Sequence, residues 1–445
     1  MLNYIKKTHK EKLFFIVLTI LSVLATISVY VFKFNAPPIR SDGIGYYAYL
    51  PAIFLHKDIS MKSLMDERAA KYNQATPESW SGITLQHNGN YLDKYTIGEA
   101  VLILPFFIPA HVLSVLFNQD LNGFTIFYQV FAAFSGTFYM VIGVFILKRF
   151  LDKYFKTRTV YLTLISIIFG TNLFHYGTYD SIFSHAYSFF LFACFLYLLP
   201  LWFEKTKDYR YPFLLGLVSG LIILVRPTNI ILPIIFFSLY NIHFNILFKD
   251  LKEKISVLIK LWRNFFLMIF VSFLVLIPQF IYWKVITGNF LIFSYHGEGF
   301  DFTHLETLNV LFSIRKGLFF WSPILIFGIL GIGLLKNKLK GWMLGVIIFL
   351  IINCLIISSW SSWYYGGGFG HRAFIESLAV LAIPLAAFFE KILAMKNKRL
   401  RYLILLITAL LVILSIYTTF KYWDGSISID GTTLGTYFKI FGIYK

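Results

Sequence analysis

Charge is scarce in this chain. Asp, Glu, Lys and Arg make up 14% of its 445 residues, against 58% apolar residues. A soluble domain ordinarily uses about a quarter charged residues, so a water-clothed globule is excluded. Cysteine is nearly absent: Cys194 and Cys354 both lie inside apolar runs. They read as small core residues, and no disulfide framework can be built from them. No internal repeat and no large polar segment is present. The first apolar run, 13–34, lacks the small-residue cleavage site of a secretory signal and is too long for a signal core. With Lys6, Lys7, Lys10 and Lys12 ahead of it, it reads as a retained signal anchor whose N-terminus is cytoplasmic.

Apolar runs of spanning length, about 20 residues each, are what the chain has in abundance. The net charge is +18, and in a soluble protein that would suggest nucleic acid. Here the basic residues sit between apolar runs, where orientation signals and lipid headgroup contacts account for them, so no nucleic-acid partner is expected. Clear spans are 13–34, 124–147, 160–174, 182–203, 265–283, 318–335, 342–359, 374–393 and 402–420. Two stretches decide the topology, 98–117 and 212–240. If 98–117 crosses and 212–240 crosses once, Lys148, Arg149, Lys153, Lys156, Arg158, Lys205, Lys207 and Arg210 all fall outside. If 98–117 lies along the membrane and 212–240 breaks at Arg226-Pro227-Thr228 into two short helices, every basic short loop is cytoplasmic. The positive-inside rule selects the second arrangement. It gives about eleven crossings, an extracytoplasmic C-terminus, and a long first outer loop containing interfacial helices. The stretch 244–262, basic among apolar residues, reads as a helix along the cytoplasmic interface.

This topology gathers the polar residues of interest on one face. The first outer loop opens with Ser41-Asp42-Gly43-Ile44-Gly45-Tyr46 and continues through Asp93-Lys94-Tyr95-Thr96-Ile97-Gly98-Glu99. Asp180 and Ser184-His185 head a helix, Arg226 tips the short hairpin, and Tyr295-His296-Gly297-Glu298 lies in a further outer segment. The last outer loop carries Trp360, Trp363, Tyr364, Tyr365, His371 and Arg372. Singly, each has a structural reading: Asp42 as a turn former, Asp180 as a helix cap, the aromatics as an interfacial belt. Arg372 is harder to dismiss, because it enters the membrane beside Glu376, and intramembrane charges mark functional pathways. Together they make an inventory. A carboxylate can act as general base toward a hydroxyl, Arg and Lys can hold a phosphate, and aromatic rings offer faces to a sugar.

The order of these segments resembles the GT-C superfamily of multi-span glycosyltransferases, nearest its bacterial branch of protein mannosyltransferases and lipid A aminoarabinose transferases. The resemblance rests on Asp42 just past the first helix, Lys94 ahead of an apolar stretch, and Asp180 with Ser184-His185-Ala186-Tyr187. Gly216-Leu217 to Arg226-Pro227-Thr228 and Gly370-His371-Arg372-Ala373-Phe374 follow. It covers roughly 13–393. It departs from the family where Ser41 stands in place of a second acidic residue, and where Tyr95-Thr96 stands in place of a proline pair. The resemblance implies an all-α polytopic fold with a catalytic unit over 1–393 and a terminal helix and tail over 394–445. It implies Asp42 as base, Asp180 as second acidic residue, and Lys94 on the donor phosphate, with Arg226 and Arg372 added by charge. Tyr46, His185, Trp363, Tyr364 and His371 are expected to line the substrate. The donor implied is a polyprenyl-phosphate sugar, and the acceptor a membrane lipid, envelope glycan or protein met at the outer face of the cytoplasmic membrane. No cofactor is required by this scheme. Asp42, Asp180 and His185 could ligate a divalent metal, at a spacing that matches no recognised metal motif. The rival reading is a transporter or flippase of lipid-linked sugars, which the broken hairpin and buried charges would also suit.

Overall fold

The computed structural model describes residues 2–32, 37–73, 75–240, 255–256, 259–295 and 297–443. The expected interfacial helix at 244–262 falls for the most part outside them, as does His296. Among the described residues seven helices are long and apolar enough to cross a bilayer. They are α1 (Leu2–Phe32), α4 (Gly98–Leu116), α5 (Ile126–Leu151), α8 (His185–Glu204), α11 (Trp262–Thr287), α15 (Lys340–Ser359) and α17 (Lys398–Trp423). Shorter helices fill the bundle: α6 (Thr157–Phe169), α7 (Leu173–Thr178), α9 (Arg210–Val225), α10 (Ile231–Leu239), α14 (Leu325–Gly331) and α16 (Leu378–Leu393). The protein is thus a polytopic helical membrane protein, with a large apolar core and a smaller cluster of Trp321, Phe369, Tyr422 and Ile427.

The loop after α1 is built rather than slack. It holds α2 (Asp42–Leu50), α3 (Lys62–Lys71) and a small antiparallel meander of β1 (Ser79–Trp80), β2 (Ile83–Leu85) and β3 (Tyr91–Asp93). Ile83 pairs with Asp93, which delivers Lys94 at the end of β3. Strands this short carry no readable alternation, and the sheet was not expected.

Three segments differ from, or refine, the reading of the sequence. Helix α4, expected along the membrane, packs lengthwise against α5. Tyr139 of α5 donates to the Leu102 carbonyl at 2.9 Å, and His111 meets the Tyr128 hydroxyl at 2.7 Å. The two helices therefore run antiparallel. Gly98 starts α4 in contact with the Leu224 backbone, where no Cβ fits. The run 318–335 is not one continuous helix: α13 (Leu318–Trp321) stops, Ser322 leaves the helical region with φ −135° and ψ 61°, and α14 begins at Leu325. Pro323 explains this, since proline pushes the preceding residue out of the helical region. Likewise 374–393 starts late, after a 3₁₀ turn at Arg372–Phe374.

The break at Arg226 follows the expected form. Arg226 is extended (φ −146°, ψ 106°) ahead of a 3₁₀ turn at Pro227–Ile230. The chain then returns, so that Tyr240 packs on Phe203 at 5.0 Å, at the same end where Asn264 bonds Thr206. That opposite end is tied by Lys148, fully buried between Glu11 (3.1 Å) and Asp152 (2.6 Å).

Candidate active site

Asp42 is the first residue of α2, and the residue before it is bent to put it there. Ser41 has φ 47° and ψ −133°, a conformation that costs a non-glycine residue about 1–3 kcal/mol and clusters at functional sites. Gly43 then packs on Ile182, and Gly45 packs on the Tyr95 ring and Asp93, so α2 lies tightly in the wall. Asp42 Oδ2 receives Arg372 Nη1 at 2.8 Å and stays about a quarter exposed. Burial pushes the Asp42 carboxyl up. The Arg372 charge, the Tyr95 hydroxyl and the Lys94 charge outweigh it and hold the group below the usual carboxylate range.

A second cation is supplied by the hairpin break. Arg226 Nε lies 3.3 Å from Glu376 Oε1, and its Nη1 donates to His185 Nδ1 at 3.1 Å. The same Nδ1 lies 3.4 Å from Glu376 Oε2, so His185 is packed against both members of the Arg226–Glu376 pair. Ser184 Oγ donates to the Tyr46 hydroxyl at 3.2 Å, and the Tyr46 ring packs on Tyr95 with centroids 4.3 Å apart. Arg372 and Glu376 come from one unwound turn, so a single segment joins Asp42 to Arg226.

The third cation, Lys94, meets Glu298 at 3.5 Å and lies 5.2 Å from the Tyr95 and Tyr295 ring centres. Ser294 Oγ donates to the Lys94 carbonyl at 2.7 Å, and Trp360 Nε1 donates to Glu298 Oε2 at 3.1 Å. Three cations are therefore latched, each to its own carboxylate: Arg372 to Asp42, Arg226 to Glu376, and Lys94 to Glu298. A fourth carboxyl, Glu99 in the first turn of α4, is wholly buried with neither oxygen hydrogen-bonded. Arg226 and Asp42 are the charges within its electrostatic reach.

Asp180 stands in a different network. Its Oδ1 takes Arg40 Nη2 at 2.7 Å, and its Oδ2 meets His175 Nε2 at 2.9 Å. Trp423 Nε1 donates to His175 Nδ1 at 2.9 Å. Nδ1 is therefore the acceptor, and Nε2–H donates to Asp180. Burial raises the Asp180 carboxyl, but the Arg40 charge and the His175 bond overcome it and leave the group well below its usual range. One oxygen thus holds Arg40, which also stacks on Tyr179 at 4.7 Å, and the other holds His175. Asp42, Asp180 and His185 do not converge as a ligand set. Asp42 Oδ2 is held by Arg372, the two Asp180 oxygens by Arg40 and His175, and His185 Nδ1 lies against Arg226. Among the described residues no cluster of three or more His, Cys, Asp or Glu side chains is arranged to hold a metal.

The last loop is strapped by the tail. Lys316, buried, donates to the carbonyls of Gly368 and, at 2.8 Å, Ile429. Arg315 forks onto Asp430 with two 2.9 Å bonds and stacks on Tyr364 at 3.5 Å. Trp363 packs edge-on against Tyr364. His371 is buried between Tyr365 and Phe374, with centroids at 5.9 and 5.0 Å. Thus Asp42, Lys94, Arg226, Arg372, Tyr46 and His185 come together. Asp180, His371, Trp363 and Tyr364 form the surrounding supports. The reading of the sequence did not single out Arg40, His175, Glu298, Glu376 and Trp423 as site residues. Arg40 directly precedes Ser41-Asp42, and Glu376 lies one turn past Arg372. Trp423, at the end of a lipid-exposed helix, gave no signal.

Fold and site together define a polytopic membrane protein with a cation-rich, carboxylate-latched site at one end of its bundle. Two solved structures match it over nearly its whole length. One is the Archaeoglobus fulgidus oligosaccharyltransferase in the apo form, at 11% identity and a TM-score of 0.47, covering 94% of this chain and 57% of that one. The other is the same enzyme tethered through a disulfide to an acceptor peptide containing the NVT sequon, at 12% identity and a TM-score of 0.48, covering 95% and 56%. The likeness is one of helix arrangement alone. The chain spans little more than half the length of these neighbours. No known family model and no curated protein matches it.

Proposed function

We propose that the protein is a glycosyltransferase that moves a sugar from a polyprenyl-phosphate donor to an acceptor hydroxyl at the extracytoplasmic face. The observation that carries this reading is the set of three latched cations around a partly exposed aspartate. Cations held in place stabilise the charge that develops on a departing phosphate, and here each is held by a carboxylate. A lipid-linked phosphate entering the site competes with Asp42 for Arg372, with Glu376 for Arg226 and with Glu298 for Lys94. As Arg372 turns to the phosphate, Asp42 loses its counter-charge and becomes a stronger base. The acceptor oxygen then attacks the anomeric carbon and its proton passes to Asp42. The bond from the anomeric carbon to the phosphate oxygen breaks, and its electron pair stays on the departing lipid phosphate. Single displacement inverts the anomeric centre. Tyr46 and Tyr95 supply ring faces and hydroxyls beside the base, and His185 holds Arg226 in orientation.

The test is the mass profile of lipid-linked sugars and surface glycans in cells carrying wild type, a deletion, or Asp42→Asn. Loss of one glycan sugar in both mutants, with the matching donor accumulating on the extracytoplasmic leaflet, supports transfer. Accumulation on the cytoplasmic leaflet identifies a flippase and ends the proposal.

A further inference from the structure

Tyr95 is held on nearly every side. Its backbone N–H donates to Asp93 Oδ1 at 2.9 Å, and its carbonyl accepts the Tyr49 hydroxyl at 2.7 Å. One edge of its ring lies in a slot between two glycines from separate elements. A Cβ on Gly45 of α2 would stand 2.4 Å from Tyr95 Cδ2. A Cβ on Gly82, in the turn between β1 and β2, would stand 2.9 Å from Tyr95 Cε2. A side chain at either place would therefore displace the ring. Tyr46 covers the ring at 4.3 Å. Tyr295, from the segment between α11 and the short helix α12 (Thr307–Phe312), meets it edge-on at 6.2 Å.

With the backbone bonded at both ends and the ring wedged, one polar group of Tyr95 is left to act, the hydroxyl. It bonds the Asp42 carboxylate. Asp42 thus has two direct ties of different kinds. Arg372 is a charge on a segment of its own, and an incoming phosphate competes for it. The Tyr95 hydroxyl is neutral, and its ring is fixed in the slot, so it stays when Arg372 leaves. A carboxylate has lone pairs enough to keep one such bond and still take a proton.

We infer that Tyr95 is a positioning residue: its hydroxyl keeps Asp42 aimed at the acceptor while Arg372 turns to the donor phosphate, and Gly45 is a glycine because it houses the Tyr95 ring. The purpose of this tie rests on the transferase reading, and the tie itself rests on the geometry.

The experiment follows the Asp42 carboxyl by infrared titration in micelles without donor, as the difference between each variant and its Asp42→Asn counterpart. Tyr95→Phe keeps the ring and removes the hydroxyl. The bond favours the ionised carboxylate, so its loss should move the titration up by about one pH unit, the size of one hydrogen bond to a charged group. Gly45→Ala keeps the hydroxyl but pushes the ring from its slot, and should move the carboxyl the same way; if that variant does not fold, Tyr95→Phe decides alone. The Tyr95→Phe shift should persist in Arg372→Gln, where the guanidinium is gone. In cells, Tyr95→Phe should lower the transferred sugar several-fold. An unmoved carboxyl in Tyr95→Phe or in folded Gly45→Ala overturns the inference, and so does a shift that vanishes in Arg372→Gln. A wild-type glycan in Tyr95→Phe cells, when Asp42→Asn cells lack the sugar, overturns it equally. Failure of the transferase reading looks different: Asp42→Asn cells then keep a wild-type glycan, and the purpose given to the tie falls with that reading even where the carboxyl shifts.

Discussion

The ion pair of Asp42 and Arg372 should be the most strongly coupled pair in the site, and its strength can be bounded. At 2.8 Å and an effective dielectric of about 20, the attraction is about 6 kcal/mol. Removing both charges from water takes back much of this, leaving a coupling of about 2–3 kcal/mol. Asp42→Asn and Arg372→Gln should each destabilise the protein, because each strands a buried charge. The double variant should recover most of the loss. Reversible unfolding in mixed micelles measures the cycle. The same pair sets a pH dependence. Arg372, Tyr95 and Lys94 together hold Asp42 below its ordinary range despite burial. The stabilisation is therefore full above the unfolded carboxylate value of about 4 and is lost as pH falls through the lower folded value. In Arg372→Gln burial acts with less opposition, the carboxyl moves up, and the acid limb moves to higher pH. Infrared titration of wild type against Asp42→Asn reads this without any donor. Additive single variants and an unmoved carboxyl in Arg372→Gln would refute the pairing as the control on Asp42.

Three further outcomes follow from the same geometry. Glu99→Gln should change unfolding free energy by less than about 1 kcal/mol, because neither oxygen has a partner to lose; a loss beyond about 2 kcal/mol would mean a partnered carboxylate. Trp423→Phe removes the donor to His175 Nδ1 and should cost about 1–3 kcal/mol, leaving a buried acceptor unsatisfied, with a shift of the His175 ring nitrogens in ¹⁵N spectra. Asp430→Asn should cost under about 1 kcal/mol, since its pair with Arg315 is a third exposed; cleavage of the 360–371 loop by added protease should nevertheless speed up, and an unchanged rate would show that the tail does not restrain it.

What could be read in the sequence was what depends on neighbouring residues. The hairpin break at Arg226 was legible because Pro227 constrains the residue before it. Pro323 carried the same signal, but an apolar run of spanning length masked it. The posture of α4 was not legible: a helix apolar on every side has no preferred face, and the contacts at Leu102 and His111 that orient it come from elsewhere in the chain. Asp42, Lys94, Arg226 and Arg372 could be gathered by topology, since each ends a segment on one side. Their partners could not be assigned, because Glu298 and Glu376 meet their cations only through packing. Asp180 shows the limit most clearly. Its residue type suggested chemistry, but its pairing with Arg40 and with the Trp423-supported His175 comes from packing that the sequence does not display.

The glycine-rich loop before Arg372 hangs from Lys316 and from the carbonyl of Ile429, with Asp430 clamping Arg315 beside it. The counter-charge of Asp42 is therefore placed by residues synthesised long after Asp42 itself.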